Sequence, residues 1–408
     1  MNNSVAIVGA GLAGQLAALA LAQCELDVSL IDQKPLAHLD PSRGSDKNLP
    51  DDQRTTALSE RSVEFLTQQG LWAPLSQAAS PVYAMNLGAG DTIDQSLRHQ
   101  LRLDRRDADR QQLAWIVENK HLASAFQHGI RQQMSLGRIK LFDAVDIDKI
   151  AIKQDRVIIE FNDKDSLEMD LLLGCDGRHS KVRKLCFDDI RTATDYQRRA
   201  LIAVISHAQN HHQVATQLFL SDGPLALLPM TTTADGVVRS SMIWSAMPDW
   251  VRAMEKLDHP TLIDNLSQRF QAITGEVHGV AGVASYPLYA SISAQFTGHA
   301  VALVGDAAHA VHPLAGQGFN LAVGDVAALA ECLLNAQHLG QAIGSRFALE
   351  AYSQARKIEA QKIFMLTDGL HRLFSHRHLR LPGVKSWAFP AINPVRPLKR
   401  RLIQAALS

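Results

Sequence analysis

The sequence contains 408 residues, of which 46% are apolar and 20% are charged, with 41 basic and 41 acidic residues. This length is sufficient for two domains or for one large domain with an insertion, and the balanced charge argues against a nucleic-acid partner. The four cysteines are scattered and form no CxxC pair, which argues against zinc, an iron–sulfur cluster and a disulfide framework.

The first 32 residues have the pattern of a βαβ unit. A short apolar strand precedes Gly9, Gly11 and Gly14 in GxGxxG spacing, and an Ala/Leu-rich helix and a second apolar strand lead to Asp32. The glycines permit a tight turn, close approach of a pyrophosphate and close packing of helix on strand, while the carboxylate can bind the ribose hydroxyls. We interpret this unit as a dinucleotide site, and the motif alone does not distinguish NAD from FAD.

A polar stretch follows and predicts a long surface loop, Gln33–Gln53, over the entrance of this site. Residues 54–69 have the pattern of a helix. Arg54 at its start could bind a phosphate or a substrate anion, or could be a solvated arginine. Short strands are expected over residues 82–103, and a second helix is expected over residues 113–126.

Residues 139–173 predict strands joined by polar turns, and the last strand leads to Asp176, Gly177, Ser180 and Arg183. An acid, a glycine, a hydroxyl and an arginine after a buried strand suit polar contacts with a dinucleotide. The same composition could equally form a capped helix start, with Ser180 or Asp176 as the cap.

Residues 196–290 have the spacing of a large antiparallel sheet, with one helix near residues 260–273. We expect this insertion to be a second domain that forms a wall of the substrate pocket, because apolar pockets commonly lie at domain interfaces.

A further buried strand leads to Gly305–Asp306 and then to Gly316 and Gly318, where a helix is predicted to begin. These glycines allow the backbone to approach a flat ligand, and a helix N-terminus can stabilise an anion. His309 and His312 could suggest a metal pair, but no third ligand has usable spacing. We therefore predict no metal and interpret these histidines as structural or as members of a polar network.

The chain from Arg346 onward is predicted to be helical, and it contains no acidic residue after Asp368. Basic and apolar residues alternate there, so this tail could lie on an anionic membrane surface or a partner, or could be a packed helix pair with a solvated basic face. Since no leader or long apolar run is found, we expect a cytoplasmic protein, peripheral at the inner face of the membrane.

Together, three motifs resemble those of the FAD-dependent aromatic hydroxylases typified by para-hydroxybenzoate hydroxylase. They are the GxGxxG with Asp32, the DGxxSxxR pattern of Asp176–Arg183, and the segment Gly305–Asn320, in matching order across nearly the whole chain. The shorter signatures RTTALS, IVEN, GPLALLPM and HPLAGQGFNLAVGD are similar to the ubiquinone-biosynthesis branch, and within it to the 2-octaprenyl-6-methoxyphenol hydroxylase type.

The fold expected from these elements and implied by the resemblance is α/β. It comprises a Rossmann-like FAD-binding domain, an inserted antiparallel-sheet substrate domain and a C-terminal helical segment. The expected boundaries are 1–75, 105–183 and 286–345 for the FAD-binding domain, 76–104 and 184–285 for the substrate domain, and 346–408 for the C-terminal helices with the basic tail.

The resemblance also implies an FAD held between the N-terminal unit and Gly305–Asp306. Asp306 would bind the ribityl chain, the backbone near Gly318 and Phe319 would lie at the flavin ring, and Pro313 would face that ring. The expected cofactor-binding residues are Gly9, Gly11, Gly14, Asp32, Arg54, Asp176, Gly177, Arg183, Gly305, Asp306, Gly316, Gly318 and Asn320, and the expected catalytic residues are Pro313, Gly318 and Phe319.

The implied reaction uses NAD(P)H as a transient reductant, since the sequence has no second GxGxxG for a resident one. O2 would then form a flavin C4a-hydroperoxide that hydroxylates a prenylated phenol in a dry pocket. One departure from the family is Lys120, where arginine usually follows IVEN, because lysine cannot replace a planar bidentate contact. No catalytic base is identified, and membership of a multiprotein biosynthetic assembly is implied by resemblance.

The same motifs allow other interpretations. A flavin halogenase or prenyl reductase would share the fold, but the WxWxIP signature of halogenases is not found, the nearest stretch being Trp244–Pro248. A non-catalytic flavin-binding assembly or redox-sensing subunit predicts no NAD(P)H oxidation stimulated by a phenol. An NAD-dependent dehydrogenase leaves the segment Gly305–Asn320 unexplained.

Overall fold

The computed structural model describes residues 3–36, 39, 52–153, 155–162, 165–187, 192–311, 316–375 and 389–407. Most of the loop predicted over Gln33–Gln53 lies outside the described residues, as do His312 and Pro313.

The secondary-structure elements are as follows. The strands are β1 (Ser4–Val8), β2 (Asp27–Ile31), β3 (Thr55–Leu58), β4 (Ser80–Val82), β5 (Ala84–Ala89), β6 (Leu101–Asp104), β7 (Ala114–Glu118), β8 (Ile139–Phe142), β9 (Ile147–Lys153), β10 (Arg156–Phe161), β11 (Leu167–Met169), β12 (Leu171–Gly174), β13 (Thr192–His207), β14 (Val214–Phe219), β15 (Pro224–Pro229), β16 (Val238–Ala246), β17 (Val277–Ile292), β18 (Thr297–Gly298), β19 (Val301–Leu303) and β20 (His309–Ala310). The helices are α1 (Leu12–Gln23), α2 (Glu60–Gln68), α3 (Trp72–Ser76), α4 (Ile93–Arg98), α5 (Asn119–Ser135), α6 (Lys181–Cys186), α7 (Pro248–Glu255), α8 (His259–Thr274), α9 (Gly318–His338), α10 (Arg346–Ser375) and α11 (Arg396–Leu407).

A six-stranded sheet in the order β18-β19-β12-β1-β2-β8 forms the centre of the nucleotide-binding half, and all its neighbouring strands are parallel except the pair β18 and β19. Its central strands are buried on both faces, as parallel strands covered by helices are. Helix α1 is buried over most of its length and packs against α5 and α9. This packing fixes the position of α1, and with it the turn that joins β1 to α1 at the edge of the sheet.

An eight-stranded sheet in the order β20-β17-β13-β16-β15-β14-β5-β6 forms the second half. Strands β5 and β6 come from residues 84–104 and the others from residues 192–310, so two separate parts of the chain share this sheet. Helices α7 and α8 cover one face, where Trp244, Phe270 and Leu266 are buried. The division of the chain into an FAD-binding and a substrate domain, with its boundaries, stays a prediction.

The expected α/β architecture is present, with two three-stranded sheets, β3-β7-β4 and β11-β10-β9, beside the larger ones. Two predicted helices were wrong at their starts, because residues 55–58 form β3 and residues 114–118 form β7, and these strands pair antiparallel. The β-branched Thr55 and Thr56 favour a strand, and Ser59 then caps α2 by accepting a hydrogen bond from the Ser62 N–H at 3.3 Å. Helices α3, α4 and α7 were not predicted.

The C-terminal helices are packed against the rest of the chain. Among the described helices, α9 alone has the length and hydropathy to cross a membrane, and half of it is buried, as in the core helix of a soluble protein. Helix α11 covers the edge of the large sheet, where Ile403 is buried and Lys399 pairs with Asp107 at 2.7 Å. Asn393 accepts a hydrogen bond from the Arg102 N–H at 2.9 Å. This segment therefore satisfies edge-strand groups that would otherwise be open to another chain.

Candidate active site

A cleft of about 770 Å³ lies at the carboxyl ends of β1, β2 and β12. Ligands bind at this edge of open parallel sheets, because the loops that follow the strands converge there. We call it the dinucleotide cleft. Its lining includes the predicted site residues Gly9, Gly11, Asp32, Asp176 and Gly177, together with Cys175, His179, Lys181 and Lys184.

The three glycines of the GxGxxG motif lie in three different environments. Gly9 has a φ of +102°, and a Cβ placed on it would lie 2.5 Å from the Cys175 carbonyl oxygen. A Cβ on Gly14 would overlap the Gly9 carbonyl oxygen, so this glycine allows α1 to approach the turn. By contrast, a Cβ on Gly11 would meet nothing within 4 Å. Gly11 thus faces open space in the cleft at the start of α1, where no side chain caps the helix N–H groups.

Asp32 lies at the rim of the dinucleotide cleft, directly after β2. Its carboxylate accepts hydrogen bonds from the Ala10 N–H at 2.7 Å and from the Lys34 N–H at 2.8 Å. These bonds hold the side chain against the glycine turn. Each carboxylate oxygen keeps a lone pair for a further donor, such as a ribose hydroxyl.

The segment after β12 forms a capped helix start, which is one of the two interpretations of its sequence. The Ser180 hydroxyl accepts from the Arg183 N–H at 2.9 Å. Asp176 Oδ2 accepts from the N–H groups of Lys181 at 2.6 Å and Val182 at 3.1 Å. The other oxygen, Asp176 Oδ1, is buried at the cleft and has no hydrogen-bond partner among the described residues. The capping arrangement therefore leaves one acceptor available to a ligand.

Arg183 is buried and contacts protein rather than the cleft. Its guanidinium donates to the carbonyl oxygens of Ala307 at 2.6 Å and Arg178 at 2.8 Å. Desolvation lowers its pKa. Arg183 thus links the Asp176–Arg183 motif to the Gly305–Asn320 segment. This geometry favours a structural role for Arg183 over direct binding of the cofactor.

The loop that follows β19 presents Asp306. Gly305 has a φ of +63°, a conformation that favours glycine. Asp306 is exposed, and its side chain makes no hydrogen bond to the described residues. Desolvation by the surrounding protein raises its pKa, and the positive fields of His309, Arg178 and Arg54 oppose that rise. Its carboxyl group is consequently free to bind a hydroxyl-bearing ligand.

A buried polar network lies behind this loop, and sequence analysis predicted neither Asp325 nor Arg356 as a member of it. Asp325 Oδ2 accepts from the Gly305 N–H at 2.8 Å and lies 2.7 Å from His309 Nε2. Asp325 Oδ1 accepts from Arg356 Nε at 2.7 Å. His309 therefore belongs to a polar network, and the described part of the chain contains no group of three or more histidine, cysteine or acidic side chains placed to hold a metal ion. The sequence signal that could have indicated this network is Asp325, an aspartate within the otherwise mostly apolar helix α9.

The start of α9 is the second helix N-terminus near the site. Gln317 occupies the cap position, and its side chain makes no capping bond to the helix. A Cβ on Gly318 would meet no atom of the described residues within 4 Å. Gly316, with a φ of +61°, brings the loop close to Ala57, whose Cβ would lie 3.0 Å from a Cβ at this glycine. These features leave the helix N–H groups open to an anionic or flat ligand.

Phe319 and Asn320 contact protein at the same helix start. The Phe319 ring packs against Phe126, with centroids 6.3 Å apart, so its backbone rather than its ring is available at the site. Asn320 Oδ1 accepts from the Ser59 N–H at 3.0 Å, and its Nδ2 donates to the Ala57 carbonyl at 2.8 Å. Asn320 therefore fixes α9 to the segment between β3 and α2.

Arg54 precedes β3 and forms a bidentate pair with Asp52, at 2.8 and 2.7 Å. Its guanidinium lies 5.3 Å from the centroid of the Tyr286 ring on β17. The hydrogen bonds that it donates to Asp52 raise the Arg54 pKa. Arg54 is therefore held between the nucleotide-binding half and the large sheet, near Asp306, and is not freely solvated.

Lys120, the departure from the family pattern, pairs with Glu118 at 2.7 Å. Glu118 is buried and also pairs with Arg239 of β16 at 3.0 Å. Burial favours the neutral acid, but the two cations outweigh it and lower the Glu118 pKa. The lysine thus acts here as a point charge toward a carboxylate, a contact that does not require a planar guanidinium.

These residues fit a dinucleotide such as FAD. The open space at Gly11 and the uncapped N-terminus of α1 suit a pyrophosphate at one end. Asp176 Oδ1, which has no partner among the described residues, suits a ribose there. The unbonded Asp306 and the open start of α9 at Gly318 suit a polyhydroxyl chain and a flat ring at the other.

The sequence matches the family described as FAD binding domain over residues 2–367. The chain belongs to this family. Its relatives include the ubiquinone hydroxylase UbiL of Rhodospirillum rubrum, which is 31% identical over 99% of this chain and 89% of its own. The 3-demethoxyubiquinol 3-hydroxylase of Escherichia coli is 27% identical over 99% of this chain and 98% of its own.

Solved structures of other proteins have folds similar to that of this chain. The p-nitrophenol 4-monooxygenase PnpA of Pseudomonas putida has a TM-score of 0.76 at 17% identity, covering 100% of this chain and 98% of its own. PqsL of Pseudomonas aeruginosa has a TM-score of 0.75 at 19% identity, covering 93% and 98%. The predicted family, fold and FAD cofactor are thereby confirmed, whereas the roles of individual site residues stay predictions.

Proposed function

We propose that this FAD-dependent monooxygenase uses NAD(P)H and O2 to hydroxylate the aromatic ring of a polyprenylated phenol in ubiquinone biosynthesis. The observation that carries the proposal is the alignment with the ubiquinone hydroxylase UbiL over 99% of the chain. The dinucleotide cleft supports it, because its residues suit the pyrophosphate and ribose of FAD.

We further propose how the chain holds the cofactor. The N-terminus of α1 at Gly11 would bind the pyrophosphate and Asp32 the ribose, both in the dinucleotide cleft. The exposed Asp306 would bind the ribityl chain. When bound, FAD supplies the electron transfer and oxygen activation that side chains cannot perform. The free N–H groups at the start of α9 would stabilise negative charge on the flavin ring.

The large sheet would form the substrate wall and exclude water from the reacting ring. Two polar contacts fix it against the nucleotide-binding half: Thr55 Oγ1 donates to Ser241 Oγ at 2.8 Å, and Arg239 pairs with Glu118. Because these contacts lie on β3, β7 and β16, they set the distance between the cofactor and the sheet. Rigid positioning of this kind contributes to catalysis by reducing the entropy lost on reaction.

The location we propose is cytoplasmic, with peripheral contact at the inner face of the membrane through α11. The exposed apolar residues there are Val395, just before the helix, and Leu398 and Leu402 within it, and Arg401 extends from the same helix. Lys399 and Arg396 are neutralised by Asp107 and Asp109, so binding would depend on the apolar stripe more than on the basic residues. Association with a larger biosynthetic assembly stays a prediction.

Flotation with liposomes tests this location. The wild-type chain should float with vesicles of mixed anionic lipid, and Leu398→Ser with Leu402→Ser should reduce flotation. Exposed Leu136→Ser, remote from α11 in sequence, is the matched control. Equal flotation of all variants would contradict the role of α11.

The activity is tested by absorbance. The purified protein should be yellow, and its flavin should be bleached anaerobically by NADPH faster when a prenylated 2-methoxyphenol is present. Subsequent admission of O2 should yield the hydroxylated phenol. A flavin indifferent to nicotinamides and phenols would instead indicate the assembly-subunit or redox-sensing alternative, and NADH in place of NADPH determines the preferred reductant.

A further inference from the structure

The loop of residues 305–310 is fixed at nearly every backbone position. Asp325 binds Gly305, Arg183 binds the Ala307 carbonyl, and the Ser293 N–H donates to the Ala308 carbonyl at 2.8 Å. Residues 309 and 310 pair with β17. Within this loop the Asp306 side chain alone projects without a hydrogen bond to the described residues. Its direction is therefore set by the anchors of its neighbours.

The anchor at Gly305 depends on a residue far along the chain. Arg356, on α10, is 5% exposed and donates from Nε to Asp325 Oδ1 at 2.7 Å. Its Nη2 donates to the Leu321 carbonyl at 3.0 Å, and its Nη1 donates to Glu359. Every nitrogen of the guanidinium is thus engaged. Such a side chain holds a buried carboxylate in one orientation.

Helix α9 leaves room for this guanidinium at Gly324. A Cβ placed on Gly324 would lie 2.8 Å from Arg356 Nη2 and 3.0 Å from Cζ. Because Arg356 is held by three acceptors, it cannot move aside without breaking some of these bonds. The glycine and the arginine therefore form a matched pair between α9 and α10.

We propose that Arg356 is a positioning residue for FAD: through Asp325 and Gly305 it directs the Asp306 carboxylate toward the cofactor. The inference rests on FAD binding and not on which phenol is hydroxylated. Its physical basis is that a buried carboxylate requires its counter-charge. Without Arg356, Asp325 would keep only His309 and the Gly305 N–H, and it would reorient or draw in water.

The test measures release of FAD from the diluted holoprotein, followed by recovery of free-flavin fluorescence. Arg356→Ala should release FAD roughly 10- to 100-fold faster than the wild type, the change expected for one lost charge-assisted hydrogen bond. Arg356→Lys keeps the charge but not all three bonds, so its rate should lie between the two. The exposed Lys362→Ala on the same helix should release FAD at the wild-type rate.

A second variant tests the arginine without removing it. Gly324→Ala should speed FAD release and alter the visible circular dichroism of bound flavin, because its methyl group displaces the guanidinium. In the Arg356→Ala background the same change should have no further effect, since the space is then vacant. This non-additivity shows that Gly324→Ala acts through the guanidinium. Urea unfolding of the apoprotein measures general destabilisation separately, and the circular dichroism of the bound flavin reports how the cofactor is positioned.

Wild-type release rates in both Arg356→Ala and Gly324→Ala would overturn the inference, as would additive effects in the double variant. A wild-type chain that binds no FAD would instead contradict the proposed function itself. If Arg356→Ala does not fold, the comparison of Gly324→Ala and Arg356→Lys with Lys362→Ala carries the same test.

Discussion

Substitution of Gly11 by valine should remove FAD binding without unfolding the protein. Gly11 has a φ of −68° and a ψ of −179°, an extended conformation that valine adopts readily. A Cβ there would meet no protein atom within 4 Å, so the three added carbons would occupy the dinucleotide cleft. They would block the approach of a pyrophosphate to the N-terminus of α1.

The magnitude follows from the bonds that would be lost. Two charge-assisted hydrogen bonds from helix N–H groups to the pyrophosphate are worth about 3–6 kcal/mol together. Their loss should weaken FAD binding by roughly 10²- to 10⁴-fold. The cost to the folded protein should be only about 1 kcal/mol, because valine is a poorer residue than glycine before a helix.

The comparison variant is Gly14→Ala, whose methyl group would overlap the Gly9 carbonyl and force α1 away from the turn. Overpacking of this kind costs about 1–3 kcal/mol, so this variant should lose stability. Urea unfolding of the apoprotein measures stability, and quenching of flavin fluorescence measures FAD binding. Wild-type FAD affinity in Gly11→Val would refute the reasoning, since it would place the pyrophosphate elsewhere.

Three further predictions concern other parts of the chain. Asp32→Ala should weaken FAD binding roughly 10- to 100-fold in the same fluorescence titration, because one or two charge-assisted hydrogen bonds to the ribose are lost; unchanged affinity would exclude Asp32 from the site. Ile403→Ala should lower the free energy of unfolding by about 2–5 kcal/mol in urea, since Ile403 of α11 is buried in a cluster with Leu101 and Leu103. The substitution Leu402→Ala, at an exposed position, should change it by less than about 0.5 kcal/mol. Burial lowers the His207 pKa in the folded protein, so the unfolded chain binds the proton more tightly, and stability should fall as pH drops below about 6.5. His207→Gln should reduce that pH dependence between about pH 7.5 and 5.5, and an identical dependence in both proteins would contradict the assignment.

Local patterns predict the nucleotide-binding turn well, because its strand, glycines, helix and acid lie within one short segment. The same patterns miss strands β3 and β7. Each strand is short and is followed almost at once by a helix, so the apolar pattern of the strand merges with that of the helix. Ser59 marks the true start of α2, and Pro248 at the first turn of α7 is a helix signal that the strand-rich surroundings obscure.

Contacts between distant segments could not be predicted in the same way. Asp325 and Arg356 lie on different helices, and nothing in either segment specifies the other until α9 and α10 pack together. The basic tail is a similar case. Its lysine and arginine residues suggested a solvated or membrane-bound face, yet Lys399 is paired with Asp107. Net charge along a segment therefore says little about which charges remain exposed after folding.

The starts of α1 and α9 lack a side-chain capping bond and face the proposed cofactor, whereas α3, α5 and α7 lack such a bond elsewhere in the chain. Helices α2, α6 and α8 begin with Ser59, Ser180 and Asp258, whose side chains accept hydrogen bonds from the first turn. The two helices whose starts face the proposed cofactor, α1 and α9, begin at Gly11 and Gln317 and have no such capping bond. A capping side chain there would compete with the ligand for the same N–H groups. The two helix starts therefore lack the stabilisation that a capping side chain would provide. FAD binding should supply it, so the holoprotein should unfold at a higher temperature than the apoprotein.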